Sequence, residues 1–502
     1  DLRVEQGRLI GPEGQALGDY WSLLGTDDLE QEATGTHRPK TPAERQLLGR
    51  AQLARAELLD KVLGRPRYVH DLRLPGMLHG RVLRPPLLDA PLAPSASVCL
   101  EALTKNHPQV QAWADGRFVA VVAERERDAD AAAQRLRGQL PWGACSPLPE
   151  AHTLPAFLKE APNEQTVSAR RGEPVEGASG RVFRASYFKP YLAHASIGPS
   201  CAIARWDGQR LEVWTHCQGI HNLRDDLVLA LAQEATPVPK EAITVTHVEG
   251  AGCYGHNGAD DVALDAVLMA LRCPGRPVRV LWSREDELTH SPFGAAQRVE
   301  LEARVDDEGR LTHWRHALWS NGHSSRPGRA RTPTLLAASE RERATALPLP
   351  INPPLAAGGG ADRNAVPGYD IPNLEVLNHR LMVMPLRTSA MRALGGFANV
   401  FAIESFMDEM AQALGEDPLA FRRRHLQDER ALAVLEAVVE RSAWWHSRAE
   451  AAEGIGRGLA WARYKNTGAW CAVIARVQVT DAVRVLDLDL AVDVGTVVDL
   501  DG

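Results

Sequence analysis

The alternation of apolar and polar positions predicts a chain that mixes strands and helices throughout. From residue 181 onwards, RVFRASYF, CAIARW and RLEVWTH follow strand patterns, and NLRDDLVLALAQ is typical of an amphipathic helix. The β-branched run ITVTHV then ends at a glycine turn, and a helix opens near Asp260. Two further strands flank the run from Asp306 to Gly309, which predicts a hairpin. We therefore expect an α+β or α/β protein of several domains.

The last third of the chain continues the same alternation. NVFAIESFMDEMAQALG predicts a helix, and we expect Phe401, Met407, Met410 and Leu414 to share its buried face. The final 30 residues read as two strands, AVIARVQVT and RVLDLDLAV. No segment repeats.

Composition narrows the class of protein. A chain of 502 residues is too long for one core, and 44% hydrophobic with 24% charged residues is ordinary for a folded protein. The net charge of −7 argues against nucleic acid as a partner, and no apolar run is long enough to predict a membrane span. The seven cysteines are scattered without a Cys-x-x-Cys pair, so we expect neither an iron–sulfur cluster nor structural zinc on this chain.

The glycine turn EGAGCYGHNGADD is the most informative motif. Its letters include Gly-x-Gly-x-x-Gly, the pattern of dinucleotide-binding folds. The preceding strand alternates with polar residues, however, and the helix begins several residues after the glycines, at Asp260 and Asp261. The acidic pair Glu285 and Asp286 also comes later than a ribose-binding residue would. A nicotinamide or flavin dinucleotide is therefore the less favoured ligand.

Four long blocks follow one another in a specific order. They are DKVLGRPRYVHDLRLPGMLHGRVLRPP (60–86), HASIGPSCAIARWDGQRLEVWTHCQGIHNLRDDL (194–227), GAGCYGHNGADDVALDA (250–266) and LRTSAMRALGGFANVFAIESFMDEMA (386–411). Together they resemble the molybdopterin-binding large subunit of the xanthine dehydrogenase/aldehyde oxidase family, above all its isoquinoline and nicotinate dehydrogenase type. The resemblance implies an α/β hammerhead domain followed by molybdopterin-binding α+β domains.

The resemblance also implies segment boundaries. We expect an N-terminal remnant and linker at 1–58, the hammerhead domain at 59–150, a first molybdopterin-binding domain at 165–435 and the start of a second at 450–502.

The resemblance assigns site residues within these blocks. Arg392 matches an arginine that orients substrate or stabilises charge, with Arg387 as the fallback and an ion pair to Glu404 or Asp408 as the alternative role. Tyr254 is the aromatic expected against the substrate, although the register leaves Cys253 open. Cofactor contacts are expected from Gln218, Gly250, Ala251, Gly252, Cys253 and Gly255.

Three histidines near these blocks receive separate expectations. His256 is expected at the polar edge of substrate or pterin, whereas His194 is expected to fix a turn. The set His216, Cys217 and His221 straddles a strand-to-helix junction, so we do not expect it to bind a metal.

The function implied is oxidation of N-heteroaromatic compounds or aldehydes, with oxygen from water. The cofactor would be molybdopterin in its cytosine dinucleotide form, and electrons would leave through a small partner subunit with two [2Fe-2S] clusters, and from there to a cytochrome c. The branch implies a periplasmic location, with the cytoplasm as the alternative.

Two parts of the family pattern have no counterpart in these residues. The family's general base is a glutamate in a Gly-Glu context near the end of the subunit, and we expect that block to follow Gly502 in a longer chain. The Gly-Gln-Gly segment that cradles the pterin does not occur. We expect the sequence to be the internal portion of a larger subunit and incomplete as a catalyst alone. A scaffold that keeps the fold and binds no cofactor is the alternative.

Overall fold

The structure, a computed structural model, describes residues 2–24, 32, 34–36, 38–45, 48–49, 54–232, 234, 237–442 and 453–500. Parts of the predicted segments 1–58 and 450–502 therefore lie outside the described residues. The chain divides into two compact units, Asp1–Arg55 with Thr496–Gly502, and Ala56–Gly495. The smaller unit holds an antiparallel sheet and a short helix, β1 (Arg3–Glu5), β2 (Arg8–Ile10), β3 (Ala16–Asp19) and α1 (Tyr20–Leu23).

A seven-stranded mixed sheet dominates the first half of the larger unit. Its strands are β4 (Leu78–Leu83), β5 (Val110–Asp115), β6 (Phe118–Ala123), β9 (Cys201–Trp206), β10 (Leu211–Thr215), β11 (Ile243–His247) and β12 (Val278–Leu281). They lie in the order β11-β10-β9-β12-β4-β6-β5. The sheet thus joins strands from the predicted segments 59–150 and 165–435, which remain predictions as separate domains.

Helices accompany this sheet along the chain. They are α2 (Leu58–Val62), α3 (Ala96–Asn106), α4 (Glu126–Arg137), α6 (Ile220–Leu231), α7 (Ala259–Arg272) and α8 (Arg284–His290). Of these, α7 packs on β9, β10 and β12 and is buried over nearly its whole length. A helix that is apolar on all sides belongs in a core.

A second, five-stranded sheet has the order β7-β16-β15-β14-β8. Its strands are β7 (Asn163–Arg171), β8 (Arg181–Lys189), β14 (Gln297–Val305), β15 (Leu311–Ser320) and β16 (Asn373–Leu381). The strands β14 and β15 form the predicted hairpin across residues 306–309. The accompanying helices are α5 (Leu154–Glu160), α9 (Gly396–Leu414) and α10 (Pro418–Arg424).

Two smaller sheets complete the larger unit. The strands β13 (Phe293–Gly294) and β17 (Thr388–Ser389) pair in parallel. An antiparallel sheet follows α11 (Glu429–Arg441) and contains β18 (Ile455–Arg463), β19 (Trp470–Val479) and β20 (Val483–Asp493). None of the described helices combines the length and the apolar character that crossing a bilayer requires.

The expectation for the buried face of α9 is wrong at one position. Met407 and Met410 are buried as predicted, but Phe401 is 55% exposed. Six residues separate Phe401 from Met407, and at 100° per residue this spacing turns the phenylalanine well away from the methionine face. The aromatic side chain instead packs edge-on against Tyr187 of β8, with ring centroids 5.7 Å apart.

Buried ion pairs tie the two ends of the large sheet to α7. Arg84, just after β4, donates to Asp265 of α7 at 2.6 Å and to Glu340 at 3.1 Å, and all three side chains are buried. Burial raises the pKa of the Asp265 carboxyl, and Arg84 opposes that rise. The indole of Trp282 donates the remaining hydrogen bond to Asp265 at 2.8 Å.

We therefore expect Arg84→Met to destabilise the larger unit by about 3–5 kcal/mol, because two carboxylates would stay buried without their countercharge. The measurement is thermal unfolding of the purified chain. Arg184→Met is the matched control, since Arg184 is an exposed residue of β8 paired with Glu302 at the surface. Equal melting temperatures for the two variants would contradict the assignment.

Candidate functional site

The candidate site begins where two parallel strands end side by side. The strands β10 and β11 pair in parallel with Thr215 opposite His247. Beyond them, His247 Nδ1 lies 2.9 Å from the carbonyl oxygen of Cys217. Gln218 and Gly250 therefore leave the sheet at the same edge. The carboxyl ends of parallel strands are where open sheets bind ligands.

Glycine is required at two positions of the turn by close packing. A Cβ atom on Gly250 would lie 2.4 Å from the ring of His216, which packs beneath the turn. A Cβ atom on Gly255 would lie 2.0 Å from the carbonyl oxygen of Ala390, and Gly255 also has a φ of +135°. The turn is thus pressed against β10 on one side and against residues 386–396 on the other.

This packing leaves several backbone donors without partners. The N–H groups of Ala251, Cys253, Tyr254 and Gly255 donate to no acceptor within the described part of the chain. The residues are partly or fully exposed. Backbone N–H groups in folded proteins are nearly always satisfied, so these four are directed at solvent or at a ligand that accepts hydrogen bonds.

Gln218 adds a side-chain donor at the same edge. It is exposed, and its Oε1 accepts a hydrogen bond from Arg326 Nη2 at 2.7 Å. Within the described ranges its Nε2 has no acceptor, so the amide group is oriented with its donor free. Sequence reasoning missed Arg326. It lies more than a hundred residues from Gln218 in a loop after β15, and no local pattern marks the contact.

Backbone hydrogen bonds join the loop 386–396 to the glycine turn. Arg392 N–H donates to the Tyr254 carbonyl at 2.7 Å, and His256 N–H donates to the Ala390 carbonyl at 2.6 Å. His194 supports the same loop, with Nε2 3.1 Å from the Ala390 carbonyl, and burial lowers its pKa. The structure therefore brings the predicted residues of blocks 194–227, 250–266 and 386–411 together.

The guanidinium of Arg392 is exposed at this junction. No ion pair or side-chain hydrogen bond involves it across the residues that the structure describes. The alternative ion pair to Glu404 or Asp408 is wrong, because both carboxylates bind Arg422 instead, at 3.0 and 2.5 Å. Arg392 is thus a free cation next to the free N–H groups.

The fallback Arg387 has a different role. Its guanidinium is buried and binds both carboxylate oxygens of Asp261 on α7, and it also donates to the His290 carbonyl at 3.2 Å. The Arg387 guanidinium holds the pKa of Asp261 below its usual range against the opposing effect of burial. Arg387 therefore anchors the loop and is not available to a ligand.

His256 lies beneath the turn rather than at its open surface. Its Nδ1 is 2.8 Å from Ser389 Oγ, its Nε2 is 3.1 Å from Asp260 Oδ2, and its side chain is buried. Ser389 in turn accepts a hydrogen bond from the Ser325 N–H at 3.0 Å. Both ring nitrogens thus face groups of the protein itself. The placement favours a positioning role over the substrate contact expected from sequence.

Tyr254 folds back along the turn. Its hydroxyl oxygen lies near the position that a Cβ of Gly252 would occupy, at 3.0 Å. The thiol of Cys253 is exposed and donates to the carbonyl of Gly255 at 3.3 Å. Nothing in the geometry decides between the two residues as the one that faces substrate, so both remain predictions.

The acidic residues near the turn are all engaged. Glu249 lies 2.9 Å from Lys61 and 3.1 Å from Arg67, and the hydrogen bond from Lys61 lowers the pKa of its carboxyl. Asp260 and Asp261 lie in the first turn of α7 with the partners described above. The N-cap of that helix is Gly258, not an aspartate. Glu249 is therefore held as a carboxylate in a surface ion-pair cluster.

The accessible groups of the site are thus hydrogen-bond donors and one cation. Such a surface suits an anionic ligand rich in oxygen acceptors, as a molybdopterin with its oxo and phosphate groups is. Across residues 2–500, apart from the undescribed ones, no group of three His, Cys, Asp or Glu side chains is placed to hold a metal ion. A metal at this site would therefore be carried by its own organic ligand.

Comparison with known proteins identifies this class of site. The family profile of the molybdopterin cofactor-binding domain matches residues 158–340 and 359–426, half of the chain. One of the two subunits of a nicotinate dehydrogenase from Pseudomonas putida is 35% identical over the whole chain and 42% of its own length. The beta chain of isoquinoline 1-oxidoreductase from Brevundimonas diminuta is 30% identical over 49% of the chain and 29% of its own length.

Solved structures share the fold. Quinoline 2-oxidoreductase from Pseudomonas putida 86 aligns with a TM-score of 0.62 and 21% identity, covering 85% of this chain and 57% of the other. A CO dehydrogenase from Oligotropha carboxidovorans aligns with a TM-score of 0.60 and 15% identity, covering 83% and 58%.

The chain spans well under half the length of these two sequence relatives. Its mixed α/β sheets resemble those of molybdenum hydroxylase large subunits. On the strength of the profile match, the chain belongs to the molybdopterin cofactor-binding domain family of molybdenum-containing oxidoreductases.

Proposed function

We propose that the chain forms part of the large subunit of a molybdenum hydroxylase that oxidises N-heteroaromatic compounds or aldehydes. The observation that carries the proposal is the row of free N–H donors at 251–255 beside the exposed Arg392. The substrate class rests on the names of similar proteins, a nicotinate dehydrogenase, an isoquinoline oxidoreductase and an aldehyde oxidoreductase. When bound, the cofactor supplies a two-electron oxidation with water as the source of oxygen.

The residues of the turn and its neighbours receive distinct roles in the proposal. The free N–H groups of Ala251, Cys253 and Gly255 bind oxygen atoms of the cofactor, while Gln218 donates from the opposite strand end. Backbone donors that are fixed before the ligand arrives lose little freedom on binding. Arg392 holds the negative charge of substrate or cofactor at the mouth of the site.

The proposal includes a partner and a compartment. Electrons leave through a small subunit with two [2Fe-2S] clusters and on to a cytochrome c, and several similar proteins are named as subunits of larger enzymes. The cofactor is proposed as the cytosine dinucleotide form. We propose the hammerhead assignment for 59–150, two molybdopterin-binding domains after it, and a periplasmic location.

The competing function is a scaffold that keeps the fold without a cofactor. The two functions differ in metal content, so the natural protein that contains these 502 residues is to be purified from its own cells. Molybdenum near one atom per large subunit, with oxidation of nicotinate, isoquinoline or an aromatic aldehyde, is expected. Absence of molybdenum from the purified protein would favour the scaffold, and turnover without molybdenum would contradict both.

Retention of the cofactor is expected to depend on Gly255. In Gly255→Ala the new Cβ would collide with the Ala390 carbonyl, so the turn would shift and its N–H groups would lose their alignment. We expect a molybdenum content at least about tenfold lower than in the unchanged protein, as for other losses of support around a metal. Elemental analysis of the purified protein measures it.

Gly208→Ala is the matched control for this experiment. Gly208 also has a positive φ, +98°, but an added Cβ there would meet no atom within 4 Å. It therefore reproduces the backbone strain without the collision. Equal molybdenum contents in the two variants would show that the packing of Gly255 does not support the cofactor.

Arg326 is expected to act through Gln218. In Arg326→Met the Gln218 amide loses the hydrogen bond that fixes its orientation, and we expect kcat to fall about tenfold with little change in KM. Arg326→Lys should restore most of the rate, because an ammonium can also donate to Oε1. Arg329→Met, three residues along the same loop and exposed, is the control.

A double variant separates positioning from a general structural effect. If Arg326 acts only through Gln218, then Arg326→Met in a Gln218→Met background should add no further loss. Additive losses in kcat would contradict the positioning role while leaving the function of the site open.

A further inference from the structure

A second cavity lies on the far side of the loop 386–396 from the glycine turn. Its volume is about 300 Å³, and it opens between the start of α9 and the ends of β8 and β14. Most of its wall is apolar, with Tyr187, Leu192 and Val299 on the strand side and Phe397 and Phe401 on the helix side. The volume is at the lower end of the roughly 300–1,000 Å³ usual for small-molecule sites.

Two aromatic side chains stand open at this cavity. Phe397 is 59% exposed and Phe401 is 55% exposed, one helical turn apart on α9. The Phe401 ring meets Tyr187 edge-on, so a planar group can lie beside them in the same manner. Large exposed aromatic residues that converge on one concave surface are typical of a binding site.

Lys189 gives this cavity its single cation. It is the last residue of β8, it lines the cavity, and only 6% of it is exposed. Its Nζ donates to the carbonyl oxygen of Ala295, which leaves two of its three N–H donors unused. Within the described part of the chain, no carboxylate lies within ion-pair distance of this ammonium group.

A buried ammonium without a countercharge is costly, and proteins keep such groups mainly at functional sites. Burial lowers the pKa of Lys189 to about 8, which shows how strongly this environment disfavours the charged form. The nearby His323 has a pKa lowered to about 3 by burial and by Lys189, so it contributes no charge near neutrality. Glu409 of α9 is held by the Tyr187 hydroxyl at 2.8 Å.

We propose that this cavity binds a small aromatic monocarboxylate. The ring lies between Phe397 and Phe401 on one side and the strand ends on the other, and the carboxylate accepts hydrogen bonds from Lys189. A single negative charge matches the single cation, whereas a phosphate dianion would bring an uncompensated charge into an apolar wall. The proposal does not depend on the function of the glycine turn.

Binding of benzoate to the full chain, measured by titration calorimetry, tests the proposal. Lys189→Met keeps the aliphatic stem and removes the charge, and we expect it to weaken benzoate binding at least about tenfold. Benzamide, which has the same shape without the charge, should bind weakly and equally to both forms. Phe401→Ala should weaken benzoate and benzamide alike.

Two controls make the result decisive. Lys159→Met removes an exposed lysine that pairs with Glu300, so it should leave benzoate binding unchanged. Arg392→Met tests the rival location, because the free cation of the glycine turn is the other place where a carboxylate would bind. Loss of benzoate binding in Arg392→Met with none in Lys189→Met would overturn the proposal, and so would absence of binding to the unchanged chain.

The dependence on pH and the melting temperature provide independent readouts. Because Lys189 carries its charge below its pKa of about 8 and loses it above, benzoate affinity should be constant at lower pH and fall as pH rises past that range. A lysine kept only for its bond to Ala295 would give a less stable Lys189→Met variant. We expect that variant to melt no lower than the unchanged chain, because it removes an uncompensated buried charge.

Discussion

The pairing of the buried carboxylates on α7 is the constraint on which the rest of the larger unit depends. This helix is enclosed by the seven-stranded sheet, yet it carries Asp260, Asp261 and Asp265 into the core. A buried carboxylate is tolerated only with a partner, and each partner here comes from a different stretch of chain. Arg84 follows β4, and Arg387 precedes β17. Folding cannot complete until these distant segments meet at one helix.

The same constraint produces the geometry of the candidate site. Arg387 anchors the loop 386–396 to α7, and His256 lies between Asp260 of that helix and Ser389 of the loop. The glycine turn must pass between these two attachments, close enough that only glycine fits at 255. With the turn held in this way, its N–H groups cannot fold back to satisfy one another. The donors that would receive the cofactor are thus a consequence of how the core is closed.

The sequence was informative where spacing and local chemistry decide the outcome. Parallel strands that end together place Gln218 beside Gly250, and the late helix after the turn begins at Ala259, close to the expected Asp260. It failed where contacts depend on tertiary partners. Nothing near Arg387 in the sequence marks it as buried, whereas its neighbour Arg392 is exposed, and Arg326 reaches Gln218 across 108 positions.

Lys189 shows a signal that pattern reasoning can use. Phe183, Tyr187 and Lys189 occupy alternating positions of β8, and the first two pack towards the core. A charged residue that continues the apolar face of a strand has to be buried, and a buried charge needs either a partner or a function. The pattern identifies the position, but only the structure shows that no carboxylate among the described residues comes to meet it.

The loop 386–396 separates the two candidate binding surfaces, and its backbone explains how it keeps both in place. Ala393 and Leu394 have φ values of +71° and +51°, a conformation that costs residues with a Cβ about 1–3 kcal/mol each. Hydrogen bonds on either side hold it, among them Leu394 N–H to the Met391 carbonyl and Gly395 N–H to the Gly360 carbonyl. Strain of this kind persists only where the surroundings impose it. Here it turns the chain so that Arg392 is exposed beside the glycine turn while α9 begins at the second cavity.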